Sequence, residues 1–134
     1  SQSTRRLLVV DDEPAFCRFV LGVAENLGYT VEIAHNGRDF MTTYTLFQPT
    51  TVVMDIVMPE IEGDQVLVMI REWEKINLKD NKPVRVVMAT SKTDAETIFA
   101  SYDQNCQHFI MKPYVKFDIE EVMKKMGFKL SEKQ

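Results

Sequence analysis

The sequence predicts an α/β fold: a doubly wound, five-stranded parallel sheet with helices on both faces. Three observations lead there. Strand patterns and helix patterns alternate five times along the 134 residues, as a parallel sheet covered on both sides requires. Four of the strands are continuous apolar runs, as central strands should be, whereas residues 29–34 alternate like an edge strand. That contrast suggests the flavodoxin-like order 2-1-3-4-5. Finally, the four apolar runs each lead into polar groups, in turn Asp11-Asp12, Asp55, Thr90 and Lys112. Open α/β sheets bind ligands at the carboxyl ends of their strands.

Taken in order, residues 7–10 are apolar and run into Asp11-Asp12-Glu13-Pro14. This reads as a strand, an acidic loop and a proline in the first turn of a helix. Phe16, Phe19, Val20, Val23, Ala24 and Leu27 recur at helical spacing, with Gly28 as the stop. The second strand, 29–34, is closed by Asn36-Gly37. Phe40, Met41, Tyr44 and Phe47 then mark a helix ended by Pro49, weakened by Thr42, Thr43 and Thr45. Residues 51–55 form a short buried strand that stops on Asp55, followed by a loop over 58–63. Val66, Leu67, Met69, Ile70 and Trp73 mark the third helix, and 77–83 is a polar, breaker-rich surface loop. The fourth strand, 84–89, leads into Thr90-Ser91-Lys92. Ala95, Ile98, Phe99 and Tyr102 share one face of a fourth helix, which Asn105 is suited to cap. The fifth strand, 108–111, leads into Lys112-Pro113. A capping-box pattern, Asp118-Ile119-Glu120-Glu121, opens a last helix that runs through Met126 and ends at Gly127.

Composition narrows the function classes. The expectation is one domain over 1–134, with its core at about 7–126. With 45% hydrophobic and 27% charged residues it has an ordinary globular balance. A net charge of -4 with scattered basic residues argues against a nucleic-acid-binding face. Cys17 and Cys106 show neither CxxC nor metal-ligand spacing and read as reduced thiols. His35 and His108 have no ligand-spaced neighbours. No apolar stretch approaches the ~18 residues of a membrane span, and no signal peptide is visible. A cytoplasmic location is expected.

In a parallel sheet the polar strand ends share one edge. Neighbouring strands lie about 4.8 Å apart, so Asp11, Asp12, Asp55, Thr90 and Lys112 should converge on one site. Three carboxylates at such distances repel one another and call for a cation. Hard oxygen ligands beside an open site favour magnesium, which keeps waters for a phosphate. Lys112 offers a mobile positive charge for a phosphoryl oxygen, and Thr90 a small hydroxyl donor. Asp55 could then accept a phosphoryl group covalently.

These residues resemble the receiver domain of bacterial two-component response regulators, the CheY-like family. The resemblance runs from Leu7 to about Met126 and rests on Asp11-Asp12, on Asp55 with Pro59 and Gly63, on Thr90, and on Lys112-Pro113. It implies that Asp55 is the phosphoacceptor, charged from a histidine kinase or a histidine phosphotransfer protein. It implies that Asp12, Asp55 and the Val57 backbone carbonyl bind magnesium, with Asp11 contributing through water. Lys112 would contact the phosphoryl group, across a cis Lys112-Pro113 bond. Thr90 would move toward the phosphoryl oxygen, Phe109 would turn inward behind it, and helix 4, strand 5 and helix 5 would present the changed surface. The implied partners are a kinase or phosphotransfer protein upstream. Downstream would stand a protein target or an output domain outside this chain; from charge and composition, no nucleic acid in this domain and no membrane are expected as partners. The implied state is a monomer or a phosphorylation-dependent dimer.

Some positions depart from the family pattern. Phe109 replaces the frequent Tyr, Ser91 a frequent Ala, and Asn105-Cys106 a common Gly-Ala; the loop over 77–83 is a few residues longer than usual. Val57 and Lys92 stand at positions that tune dephosphorylation. Two other classes compete with a phosphorylation switch. A phosphatase of the haloacid dehalogenase type also uses an aspartyl phosphate, but it needs an Asp two residues after the nucleophile, where this chain has Val57. A degenerate receiver acting as a constitutive interaction module would not need the complete acid, Thr and Lys set.

Overall fold

The structure, a computed structural model, describes residues 5–55, 63–78, 83–91, 108–112 and 120–121. Its elements are β1 (Arg6–Val10), α1 (Pro14–Asn26), β2 (Thr30–Ala34), α2 (Gly37–Phe47), β3 (Thr51–Asp55), α3 (Gly63–Asn77), β4 (Arg85–Ser91) and β5 (His108–Lys112). The strands pair in parallel in the order β2-β1-β3-β4-β5. Together with the flanking helices this is a doubly wound α/β sheet. The fourth helix and most of the last lie outside the described residues; Glu120 and Glu121, within the expected last helix, are helical.

Alternation along each strand divides the core between the two faces. Leu7, Val9, Val53 and Val87 point to one face and pack with Phe16, Cys17, Val20, Val23 and Ala24 of α1. Leu8, Val10, Val52, Met54, Val86 and Met88 point to the other, against Phe40 and Tyr44 of α2 and Val66, Leu67 and Ile70 of α3. Each such side chain contributes roughly 1.5–3 kcal/mol on full burial. Two-sided burial explains why β1 and β3 read as unbroken apolar runs. β2 alternates between exposed and half-buried positions because only β1 flanks it.

The helix ends follow local chemistry. Pro14 occupies the first turn of α1 after Glu13, whose side chain makes no capping bond. Gly28 adopts φ 88°, and its N–H donates to the Glu25 carbonyl at 3.0 Å, turning the chain from α1 into β2. Asn36, expected only to close the second strand, caps α2 by accepting the Asp39 N–H at 2.9 Å. Gln48, left-handed at φ 51°, ends α2 one residue before Pro49. Several boundaries differ from the sequence expectation by a residue or two: β1 begins at Arg6, β2 at Thr30 and β4 at Arg85, and β5 ends at Lys112. α3 continues through Asn77, and β4 runs to Ser91 rather than Ala89. The ladder carries β4 onward, with Thr90 opposite Met111 and Ser91 opposite Lys112, although the apolar run stops earlier. Among the described residues no helix is long and apolar enough to cross a membrane.

Candidate functional site

Register fixes what meets at the carboxyl edge. Val10 pairs with Met54, so Asp11, the next residue, is level with Asp55, the last residue of β3. Asp55 is in turn opposite Ala89, which is opposite Ile110. Thr90 therefore stands one step past the level of Asp55 on the neighbouring strand, and Lys112 two steps past it on β5. Phe109 lies opposite Met88, one step below that level. The sequence places Asp11, Asp55, Thr90 and Lys112 at one edge, and the backbone register does so too.

The side chains of Asp11, Asp12 and Asp55 come together. Each offers a carboxylate oxygen, and these oxygens lie within 4.8 Å of one another. Asp11 is fully buried and Asp55 is 8% exposed, whereas Asp12 faces solvent. Two ligands on one magnesium ion lie at most about 4.2 Å apart, given metal–oxygen distances of about 2.1 Å. The observed spacing is of that order, and the donors are the hard oxygens magnesium selects. The residues fit such a cation.

The acidic loop is held from several sides. The Asp11 N–H donates to the Ala34 carbonyl at 3.2 Å, tying the loop to the end of β2. Asp11 Oδ1 accepts the Glu13 N–H at 2.9 Å, a side-chain turn that fixes the carboxylate relative to the start of α1. The Cys17 N–H donates to the Glu13 carbonyl at 3.2 Å. Cys17 Sγ donates to the Asp11 carbonyl at 3.4 Å. Sequence reasoning gives Cys17 no role beyond that of a reduced thiol. The signal that could have found it is its place one turn into the helix after the acidic loop, on the face shared with Val20 and Ala24.

A model of the response regulator receiver domain matches residues 7–125. The chain belongs to this family. Among relatives of this receiver, the transcriptional regulatory protein TrcR of Mycobacterium tuberculosis is 32% identical over 95 residues, covering 66% of this chain and 37% of TrcR. The response regulator MprA of Mycobacterium ulcerans is 29% identical over 121 residues, covering 90% of this chain and 48% of MprA. The chain thus spans less than half the length of these curated relatives. Among solved structures, the chemotaxis response regulator CheY4 of Vibrio cholerae shares the fold. Its TM-score is 0.78 at 19% identity, with 90% of this chain and 97% of that one covered. A CheY-like receiver domain protein from Methanospirillum hungatei reaches TM-score 0.74 at 26% identity, over 96% and 95% of the two chains.

Membership and the aspartate triad together make this a phosphoacceptor receiver of two-component signalling. The chemistry of a receiver is its own phosphorylation and dephosphorylation. Several expectations fall outside the described residues: the Val57 carbonyl, the Lys112-Pro113 bond, the fourth helix, Lys92 and Asn105-Cys106.

Proposed function

We propose that Asp55 accepts the phosphoryl group, in a single receiver domain spanning 1–134 with its core at about 7–126. The observation that carries this reading is the triad: three carboxylates whose oxygens lie within 4.8 Å of one another at the ends of β1 and β3. Of the three, Asp55 ends the central strand, one step before Thr90 on β4 and two steps before Lys112 on β5. Asp11 already spends an oxygen on the Glu13 N–H, which suits it to holding charge in place rather than to attack. Asp12, solvent-facing, completes the acid set. Asp11, Asp12 and Asp55, with the Val57 carbonyl, would hold magnesium. When bound it would neutralise the acids and offer a ligand position to a phosphoryl oxygen.

Lys112 then supplies a positive charge to the incoming phosphoryl group, and Thr90 a hydroxyl donor to a remaining oxygen. Phosphorylation adds nearly two negative charges to Asp55. Movement of Thr90 toward them vacates space that Phe109 fills, and having no hydroxyl it does so without desolvating one. That exchange alters a surface of helix 4, strand 5 and helix 5. The complete domain is read as flavodoxin-like, with the fourth and last helices covering β4 and β5. Its proposed partners are a histidine kinase or histidine phosphotransfer protein upstream, and a protein target or output domain downstream. Cytoplasmic location and a monomer or phosphorylation-dependent dimer complete the reading.

The test is incorporation of phosphate from acetyl phosphate, with and without magnesium, in the wild type and in Asp55→Asn. Magnesium-dependent incorporation lost in Asp55→Asn is the expected result. Undiminished incorporation in the variant would remove Asp55 from this role.

A further inference from the structure

We infer that Cys17 is a positioning residue for the acidic loop, and so sets the magnesium affinity of the receiver. The inference rests on the proposed reading of the aspartate triad as a magnesium site. Cys17 meets the acidic loop at its backbone. It sits in α1, 1% exposed, among Leu7, Val9, Phe16, Val20 and Val53. From there its thiol reaches back six residues to the Asp11 carbonyl at 3.4 Å.

Glu13, at the helix N-cap, makes no side-chain cap bond, and Pro14 has no N–H to donate. The Cys17 backbone bond to the Glu13 carbonyl and the Cys17 thiol bond to the Asp11 carbonyl both register the loop against the helix. One residue thus binds both ends of the turn that presents Asp11 and Asp12. The Asp11 peptide is held at its N–H by Ala34 and at its carbonyl by Cys17. With both groups fixed, the Asp11 carboxylate has a defined origin, and the Glu13 N–H orients its Oδ1. Like charges crowded together gain from any spreading of the loop, and the thiol opposes it. An acid set held ready for a cation binds it more tightly than one that must first be gathered.

A packing role and a hydrogen-bonding role make different demands on residue 17. Cys17→Ser keeps a donor at that position and loses sulfur bulk. Cys17→Val keeps the bulk and loses the donor, and Cys17→Ala loses both. Magnesium titration of the four metal-free proteins, with urea unfolding measured alongside, separates the roles. The donor role predicts that Val and Ala bind magnesium about two- to tenfold more weakly, the range of a net hydrogen bond. It predicts that Ser stays within about twofold of the wild type even where its unfolding midpoint falls, since a hydroxyl donates at least as well as a thiol. Hydrogen exchange at the Glu13 amide, read without magnesium, should be faster in Val and Ala than in Ser. Equal magnesium affinity in all four proteins would overturn the inference, as would a Ser variant that binds as weakly as Ala. If the wild type binds no magnesium, the triad reading itself fails and the inference goes with it. If the wild type and Ser bind alike but Glu13 exchange is the same in all variants, the positioning route is wrong.

Discussion

The two edges of the sheet are built on opposite principles. At the amino edge, the charged side chains of Arg5, Arg6, Arg71 and Glu74 meet partners within the protein, although the buried Thr51 hydroxyl has no hydrogen-bond partner among the described residues. Arg5 Nη1 donates to the Leu27 carbonyl at 3.2 Å and Arg6 Nε to the Gln48 carbonyl at 2.7 Å. Thr50 Oγ1 donates to the Arg6 carbonyl and accepts the Arg6 N–H, both at 3.0 Å. Glu74, 8% exposed, accepts the Val84 N–H at 2.7 Å and Arg71 Nη1 at 2.9 Å, while Arg71 also donates to the Val84 carbonyl at 3.1 Å. Here each charge meets a group of complementary character. At the carboxyl edge three acids of one sign are gathered instead. The amino edge joins helix ends and strand starts through these bonds, and the carboxyl edge gathers carboxylates that an ion can complete. Stability and function are thus assigned to opposite ends of the same strands.

Breaking the acid edge should have the largest effect. Asp12→Ala, at a solvent-facing carboxylate, should weaken magnesium binding more than about tenfold and prevent phosphorylation, while leaving the fold intact. Magnesium at a hundred times its dissociation constant should stabilise the wild type by about 2.7 kcal/mol. Urea unfolding should show that gain shrinking sharply in the variant.

Breaking the amino edge should do the converse. Glu74→Ala removes the carboxylate that the buried Val84 N–H and Arg71 share, and should cost about 1–3 kcal/mol in urea unfolding. Magnesium affinity should not change. A variant that loses both stability and metal binding would mean that the two edges are less separate than described.

The tyrosines sharpen the same contrast from the side of pH. Burial raises the pKa of Tyr29 above its ordinary 10.0, opposed by the nearby Arg5 and Arg85. Burial and then Glu74 raise that of Tyr44, opposed by Arg71. Because the folded values lie above the unfolded ones, this contribution to stability is complete below about pH 10 and is lost as pH rises beyond it. Ultraviolet titration should show two of the phenols ionising late, and Tyr44→Phe should reduce the alkaline loss of stability.

The smallest effect belongs to neither edge. Gly22 lies mid-helix on the exposed face of α1, with open space where a Cβ would stand. Gly22→Ala should add about 0.5–1 kcal/mol to stability and leave phosphorylation unchanged. Thermal melts beside acetyl phosphate labelling would check both.

Sequence alone discloses most of the carboxyl edge, because its logic is periodic. An apolar run that stops on a polar residue marks both a strand and its end, so Asp11 and Asp55 can be placed at one edge from the residues alone, while the register makes them level. That residues 29–34 form an edge strand can be read from their alternation, because an edge strand is covered less than a central one, and the pairing of the strands supplies the order. The amino edge is not legible in this way. Glu74 looks like any acid on a helix, and only tertiary packing brings it to Val84, ten residues on. Asn36 reads as closing the second strand, yet the same side chain can cap a helix, and the helix beginning at Gly37 decides between them. Cys17 is hidden for a related reason: its bond is to a backbone carbonyl, which no residue type announces. The β4 boundary lies two residues beyond the expected one because hydrogen bonding to β5 continues after the apolar pattern ends.

The central claim is that the acid edge receives a phosphoryl group on one particular carboxylate. Wild-type protein treated with acetyl phosphate and magnesium can be reduced with borohydride, which converts an aspartyl phosphate to homoserine, and then sequenced by tandem mass spectrometry. Homoserine should appear at Asp55 and require magnesium. Homoserine at Asp11 or Asp12, or at Asp55 equally without magnesium, would contradict the assignment of roles within the triad.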